Sequence, residues 1–125
     1  LKGIMEHTIT GGVHRMFIES DGNKTEIGEI GVAMLTAGAY DIPIVMISSD
    51  DLGCAEAKEH APTIVTAETK TGLARYMGKL KHPSVTGPLI EEAAFQSLQT
   101  KHAPFHVKLP ARVSIEFNRA EMAEM

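Results

Sequence analysis

The spacing of apolar residues changes along the chain, and each change marks a predicted element. Over residues 28–39 the apolar positions recur close to every 3.6 residues, which predicts a helix. Residues 42–47 are apolar without alternation, which is typical of a strand covered on both faces. A second helix is predicted over residues 51–60, with Asp50 as its N-cap.

The remaining elements follow from turn signals and alternation. Two short β-prone runs, 13–18 and 25–27, flank an Asp-Gly turn and predict a hairpin, whereas residues 1–12 are predicted to form a loop. Further strands are predicted at 63–67 and 112–117 and a helix at 86–101, with no assignment for most of 68–85. The pattern predicts an α/β fold: a mostly parallel central sheet with flanking helices and an N-terminal β-hairpin.

Composition narrows the class of protein. The 125 residues fit one α/β unit, 43% of them are hydrophobic, and the absence of Trp predicts an aliphatic, Met-rich core. A net charge of -4 argues against nucleic-acid binding. No apolar stretch approaches the roughly 20 residues that span a bilayer. A single cysteine, Cys54, excludes an internal disulfide and favours a reducing, cytoplasmic location.

Two ionisable residues are the main candidates for chemistry. His7 lies in a glycine-flanked loop, where an imidazole serves as base, nucleophile or ligand, although a solvated loop histidine is the alternative. Glu29 opens the first predicted helix, where it is either a metal ligand or a carboxylate that interacts with the helix dipole. The other five histidines have structural explanations: His14 is expected on the surface of a hairpin strand, His60 near a helix C-terminus, and His82, His102 and His106 in loops.

Three residues around the second helix have structural explanations. Asp50 and Asp51 are adjacent, so they point in different directions, and one of them is expected to cap the helix. Cys54 lies in the first turns of that helix, where a nucleophilic thiolate is one interpretation and a small buried hydrophobic residue the favoured one.

Several motifs, in order and with consistent spacing, resemble the zinc-dependent D-aminopeptidases of the DppA type. The resemblance covers residues 3–118, apart from a longer hairpin at 19–26. The matching stretches are Met-Glu-His-Thr (5–8), Ile-Gly-Glu-Ile-Gly (27–31), Ala-Gly-Ala-Tyr-Asp-Ile-Pro-Ile-Val-Met (37–46), Ser-Asp-Asp (49–51), Glu-Glu-Ala-Ala-Phe (91–95) and Val-Ser-Ile-Glu-Phe (113–117).

The resemblance implies an activity and a role for each candidate. It implies a metallo-aminopeptidase that removes N-terminal D-residues, such as D-Ala, from short peptides or amides with two zinc ions per active site. By this resemblance His7 is the catalytic nucleophile or general base, and Glu29 is a zinc ligand. Homo-oligomers are also implied, and neither nucleic acid nor a membrane is an expected partner.

The chain departs from the family pattern in two ways. Ala33 stands where some relatives have Asn, and the family's Asp-x-Glu ligands and two further histidines would precede Leu1. The chain is therefore expected to be the C-terminal part of such an enzyme. The alternative is a non-catalytic α/β binding or assembly module, in which His7 and Glu29 are relics and the helix at 28–39 makes oligomer contacts.

Overall fold

A computed structural model of the chain describes residues 3–8 and 11–124. Within these residues the fold is mixed α/β, with two three-stranded sheets and three α-helices. The strands are β1 (Val13–Ser20), β2 (Asn23–Glu26), β3 (Met46–Asp50), β4 (Val65–Ala74), β5 (Met77–Leu80) and β6 (Arg112–Phe117). The helices are α1 (Glu29–Gly38), α2 (Asp51–His60) and α3 (Pro83–Gln99), followed by a 3-10 turn at Ala120–Met122.

Strand pairing differs from the predicted sheet. One sheet has the order β2-β1-β6 and is antiparallel, and the other has the order β3-β4-β5. Among the described strands, only the β3–β4 pairing is parallel, because α2 provides a crossover there, whereas a tight turn joins β4 to β5. This arrangement corrects the prediction of a mostly parallel central sheet.

The predicted N-terminal hairpin is confirmed. Ser20 pairs with Asn23 across the turn, and the two residues between them have positive φ, 51° at Asp21 and 80° at Gly22. Positive φ at both central residues gives a turn whose twist matches that of the flanking strands. The predicted loop at 1–12 falls partly outside the described residues.

Short-range sequence signals also predicted the positions of α2 and β6. α2 has the predicted bounds, and the Asp50 carboxylate accepts a hydrogen bond of 2.8 Å from the backbone N–H of Gly53, as expected of an N-cap. β6 likewise matches its predicted range. The strand predicted at 42–47 begins later, at Met46. Asp41 has a left-handed φ of 57°, so the chain turns there, and Ile42 just after it is 56% exposed and not covered on both faces.

α1 lies between two small cores. Met16, Ile18 and Ile27 form one buried cluster, against which Val32 and Leu35 of α1 pack. Met34, on another side of α1, is 2% exposed and packs with Ala57 and Ile64. The cores are aliphatic and use methionine, as the composition predicts. Because α1 packs into both cores, its first residue, Glu29, has a defined position.

The C-terminal end of α1 approaches the backbone of residue 105. A Cβ added to Gly38 would fall on the carbonyl oxygen of Phe105, whereas a Cβ added to Gly87 in α3 meets nothing within 4 Å outside that helix. Both changes to alanine favour helix formation, so the difference between them reports the clash.

We therefore expect Gly38→Ala to lower the free energy of unfolding by about 1–3 kcal/mol, as overpacking does. Gly87→Ala is the control at an open position, where the gain in helix propensity is opposed by the crowding of a Cβ before Pro88, so its effect should be small. Urea denaturation of both variants measures the difference. Equal stability of the two variants would show that the Phe105 backbone moves away without cost.

Candidate active site

His7 lies in a loop whose backbone is held at several points. The backbone N–H of Met5 donates to the carbonyl oxygen of Arg75, at the turn between β4 and β5, over 2.6 Å. Met5 itself has a φ of 55°, a left-handed conformation that is uncommon for a non-glycine residue. Its carbonyl oxygen lies 2.7 Å from Nδ1 of His7. Because a carbonyl only accepts hydrogen bonds, Nδ1 carries the proton.

The other ring nitrogen of His7 faces Glu29. Nε2 lies 3.7 Å from Oε2 of Glu29, and each side chain is 49% exposed. This distance exceeds that of a normal hydrogen bond. The structure therefore brings together the two residues singled out in the sequence, at a place that a ligand from solvent can reach.

Glu29 is placed by the start of α1. Gly28 is the N-cap residue, without a side-chain cap, and its carbonyl oxygen accepts the N–H of Val32 over 3.0 Å. A Cβ on Gly28 would lie 2.7 Å from Oε1 of Glu56 in α2. The glycine thus lets α2 pack closely against the residue that precedes Glu29.

A carboxylate and an imidazole on α2 support this helix start. Oε1 of Glu56 and Nε2 of His60 are buried without a hydrogen-bond partner among the described residues. Burial raises the pKa of Glu56, and the nearby His60 opposes that shift. The His60 ring also packs against Phe105, with ring centroids 5.5 Å apart. The pair therefore belongs to the contact between α1 and α2.

The adjacent residues Asp50 and Asp51 have different hydrogen-bond partners, as expected of side chains that point in different directions. Asp50 caps α2, while the Asp51 carboxylate accepts the backbone N–H of Gly72 in β4 over 2.7 Å. Asp50 also accepts the backbone N–H of Ile4 over 2.7 Å. The junction of β3 and α2 is therefore bonded both to β4 and to the loop that carries His7.

The contacts described for Cys54 and for four further histidines, His14, His82, His102 and His106, involve neither His7 nor Glu29. Cys54 is buried, and burial raises the pKa of its thiol, which disfavours a nucleophilic thiolate. His14 is exposed on β1, and His82 caps α3 by accepting the N–H of Ser84. His102 lies 2.9 Å from the carbonyl oxygen of Ser97, and Nε2 of His106 lies 3.3 Å from Oδ1 of Asp41.

Sequence reasoning missed several residues around the pair. Glu56 and His60 are four residues apart in α2, which places them on one helix face. This spacing could have indicated from the sequence that the two side chains act together. Glu6, directly before His7, has a buried Oε2 without a hydrogen-bond partner in the described part of the chain. Neither the left-handed Met5 nor the bond from Ile4 to Asp50 has a local sequence signature.

Imidazole nitrogens and carboxylate oxygens are common zinc ligands, so the side chains of His7 and Glu29 are of the right chemical type to bind zinc. They do not complete a site, because a stable zinc site uses three or four protein ligands. Across residues 3–8 and 11–124, no group of three or more His, Cys, Asp or Glu side chains is arranged to hold a metal ion.

The described helices include none that is long and apolar enough to cross a membrane.

The chain has the fold of a peptidase family. The family model described as D-aminopeptidase, Peptidase_M55, matches residues 1–125, and the chain belongs to this family. The resemblance seen in the motifs is thereby confirmed.

A sequence match and a structural match each cover almost the whole chain. A D-aminopeptidase of Bacillus subtilis (strain 168) is 34% identical over 124 residues, which are 98% of this chain and 44% of that protein. The solved structure described as the Zn-dependent D-aminopeptidase DppA from Bacillus subtilis, a self-compartmentalizing protease, superposes with a TM-score of 0.92. It is 32% identical, over 99% of this chain and 44% of that one. The chain thus spans less than half the length of these relatives.

Proposed function

We propose that the chain forms part of a zinc-dependent aminopeptidase that removes N-terminal D-residues, such as D-Ala, from short peptides or amides. The observation that carries the proposal is the approach of His7 Nε2 to within 3.7 Å of Glu29 Oε2, although the two residues are distant in sequence. Membership of the D-aminopeptidase family and the Zn-dependent relative support the reaction class.

In this proposal His7 acts on the scissile carbonyl. Its Nδ1 donates to the Met5 carbonyl oxygen, so in the neutral ring Nε2 has the free lone pair and serves as nucleophile or general base. The His7 side chain is half-exposed, so a peptide can reach it from solvent.

Glu29 has the metal-binding role in the proposal. Glu29 would hold zinc together with ligands that residues 3–8 and 11–124 do not supply, because two side chains alone do not complete a site. Bound zinc supplies Lewis-acid polarisation of a carbonyl. The chain is then one α/β unit of a longer cytoplasmic enzyme.

We also propose that the enzyme is a homo-oligomer. The Bacillus subtilis relative is described as self-compartmentalizing. Large apolar side chains are solvent-exposed in this chain, with Tyr76 81%, Leu98 84% and Phe95 58% exposed. Phe95 and Leu98 are three residues apart in α3, a spacing that puts them on one helix face, which a second copy of the chain can cover.

The proposal is tested by assaying the full-length protein on a D-alanyl peptide and on the same peptide with N-terminal L-Ala. We expect hydrolysis of the D-substrate, little hydrolysis of the L-substrate, loss of activity on chelation and recovery with zinc. Zinc content is measured on the purified protein in parallel. No hydrolysis together with no bound zinc would instead support the non-catalytic assembly module.

The structure bears on that module at one residue. In that module α1 makes the oligomer contacts, but Gly38 of α1 is buried against Phe105 of the same chain. Ala33 on the same helix is exposed.

A further inference from the structure

The carboxylate of Asp50 makes two hydrogen bonds of different kinds. Asp50 is 6% exposed, at the end of β3. Its Oδ1 accepts the N–H of Gly53 over 2.8 Å, which caps α2, and its Oδ2 accepts the N–H of Ile4 over 2.7 Å. The first bond is local, whereas the second joins the sheet to the N-terminal loop.

The bond from Ile4 to Asp50 is connected to the His7 ring through the next residue, Met5. Ile4 precedes Met5, whose carbonyl oxygen accepts the Nδ1 proton of His7. The Ile4 side chain lies against Gly78 of β5, in the place that a Cβ there would occupy. The Met5 N–H is bonded to Arg75. The backbone that leads to this carbonyl is thus held at Ile4 and at the N–H of Met5.

We propose that Asp50 is a positioning residue for His7: its bond to Ile4 holds the Met5 carbonyl oxygen against Nδ1 and so presents Nε2 to Glu29. This inference rests on the proposed function for its effect on catalysis. The link from Asp50 to the His7 ring is a separate claim and is measurable without any substrate.

A carboxylate suits this position because it offers two acceptor oxygens. Serine caps helices about as well as aspartate, so it keeps the bond to Gly53. Its single, shorter oxygen cannot also reach Ile4. Asp50→Ser therefore separates the two bonds, retaining the cap and losing the anchor of the loop.

Asp51→Ser is the matched control. It removes a neighbouring carboxylate and the bond from Gly72, but Asp51 makes no bond to the loop among the contacts described here. Both variants are made in the full-length protein, labelled with 15N-histidine. The His7 signals are assigned by their absence from the His7→Ala spectrum. Magic-angle-spinning 15N spectra then distinguish a protonated Nδ1 from a protonated Nε2.

We expect wild type and Asp51→Ser to show His7 protonated at Nδ1. Asp50→Ser should show a mixture of tautomers, because the ring is released from the carbonyl oxygen. Misplacement of a catalytic group by about 1 Å can cost roughly 100-fold in rate, so kcat should fall about 10–100-fold in Asp50→Ser, with KM changed much less. An unchanged tautomer with wild-type kcat would overturn the inference.

A second variant covers the case in which Asp50→Ser does not fold. Met5→Val disfavours the left-handed conformation because valine is β-branched, and it leaves the α2 cap intact. It should reproduce the mixed tautomer, whereas retention of Nδ1 protonation would contradict the inference. If the wild-type protein proves inactive on D-peptides, the proposed function fails while the 15N spectra still decide whether Asp50 controls the His7 ring.

Discussion

Replacing His7 with alanine in the full-length protein should lower kcat for a D-alanyl peptide by about 10²–10⁴-fold, the range that a positioned general base contributes. The reason is that Nε2, directed at Glu29 by the bond between Nδ1 and the Met5 carbonyl, is lost. Zinc content should be unchanged, because His7 acts on the carbonyl in this proposal. Steady-state kinetics and metal analysis of the same sample test both statements.

His14→Ala is the matched control for this experiment. His14 is exposed on β1 and belongs to neither the loop nor the start of α1, so kcat should remain at the wild-type value. A His7 variant with wild-type kcat would remove the catalytic role. Loss of activity together with loss of zinc would reassign His7 as a metal ligand.

Glu29→Gln should lower the affinity for zinc by at least about 10–100-fold. Loss of a residue that only hydrogen-bonds a metal ligand already costs roughly that much affinity. Glutamine has nearly the same size as glutamate, so the start of α1 is retained while the anionic oxygen is lost. We expect lower zinc content after dialysis against a weak chelator and a parallel fall in D-aminopeptidase activity. Added zinc should restore part of that activity.

The control for the metal experiment is Glu91→Gln, the same change at an exposed position of α3. It should leave zinc content and activity unaltered. If Glu29→Gln also retained wild-type zinc and turnover, the metal-ligand role of Glu29 would be rejected. A loss of activity with full zinc content would point instead to a role toward His7 or the substrate.

Elements with local signals were predicted well. The Asp50 cap and the positions of α2 and β6 follow from capping chemistry and from alternation within short windows. The Asp-Gly turn likewise determines the β1–β2 hairpin, because it allows two residues with positive φ. These features depend on neighbours in the sequence, so the sequence contains what is needed.

The division into two sheets depends on distant residues and was not predicted. β1 pairs with β6 through residues nearly 100 positions apart, as in the pair Phe17 and Ser114. β4 continues to Ala74 and returns as β5 without a recognisable two-residue turn motif. Alternation indicates that a strand exists, but it does not identify the strand's partner.

The candidate site shows the same limit. His7 and Glu29 were connected by the resemblance to the D-aminopeptidases, since no spacing rule relates a loop histidine to a helix-start acid. The residues that orient His7 act through the backbone of Ile4, Met5 and Arg75. On the loop side these contacts use backbone atoms, which every residue type offers, so apart from the Asp50 carboxylate they leave little trace in the sequence.

The hydrogen bond between Met5 and Arg75 limits how the β4–β5 turn can vary. Exposed turns ordinarily tolerate insertions and deletions, and Tyr76 in this turn is 81% exposed. Here the Arg75 carbonyl oxygen supports the loop of His7. A change in turn length would leave the hairpin paired yet displace that loop, so natural variation at this surface turn should favour substitution over changes in length.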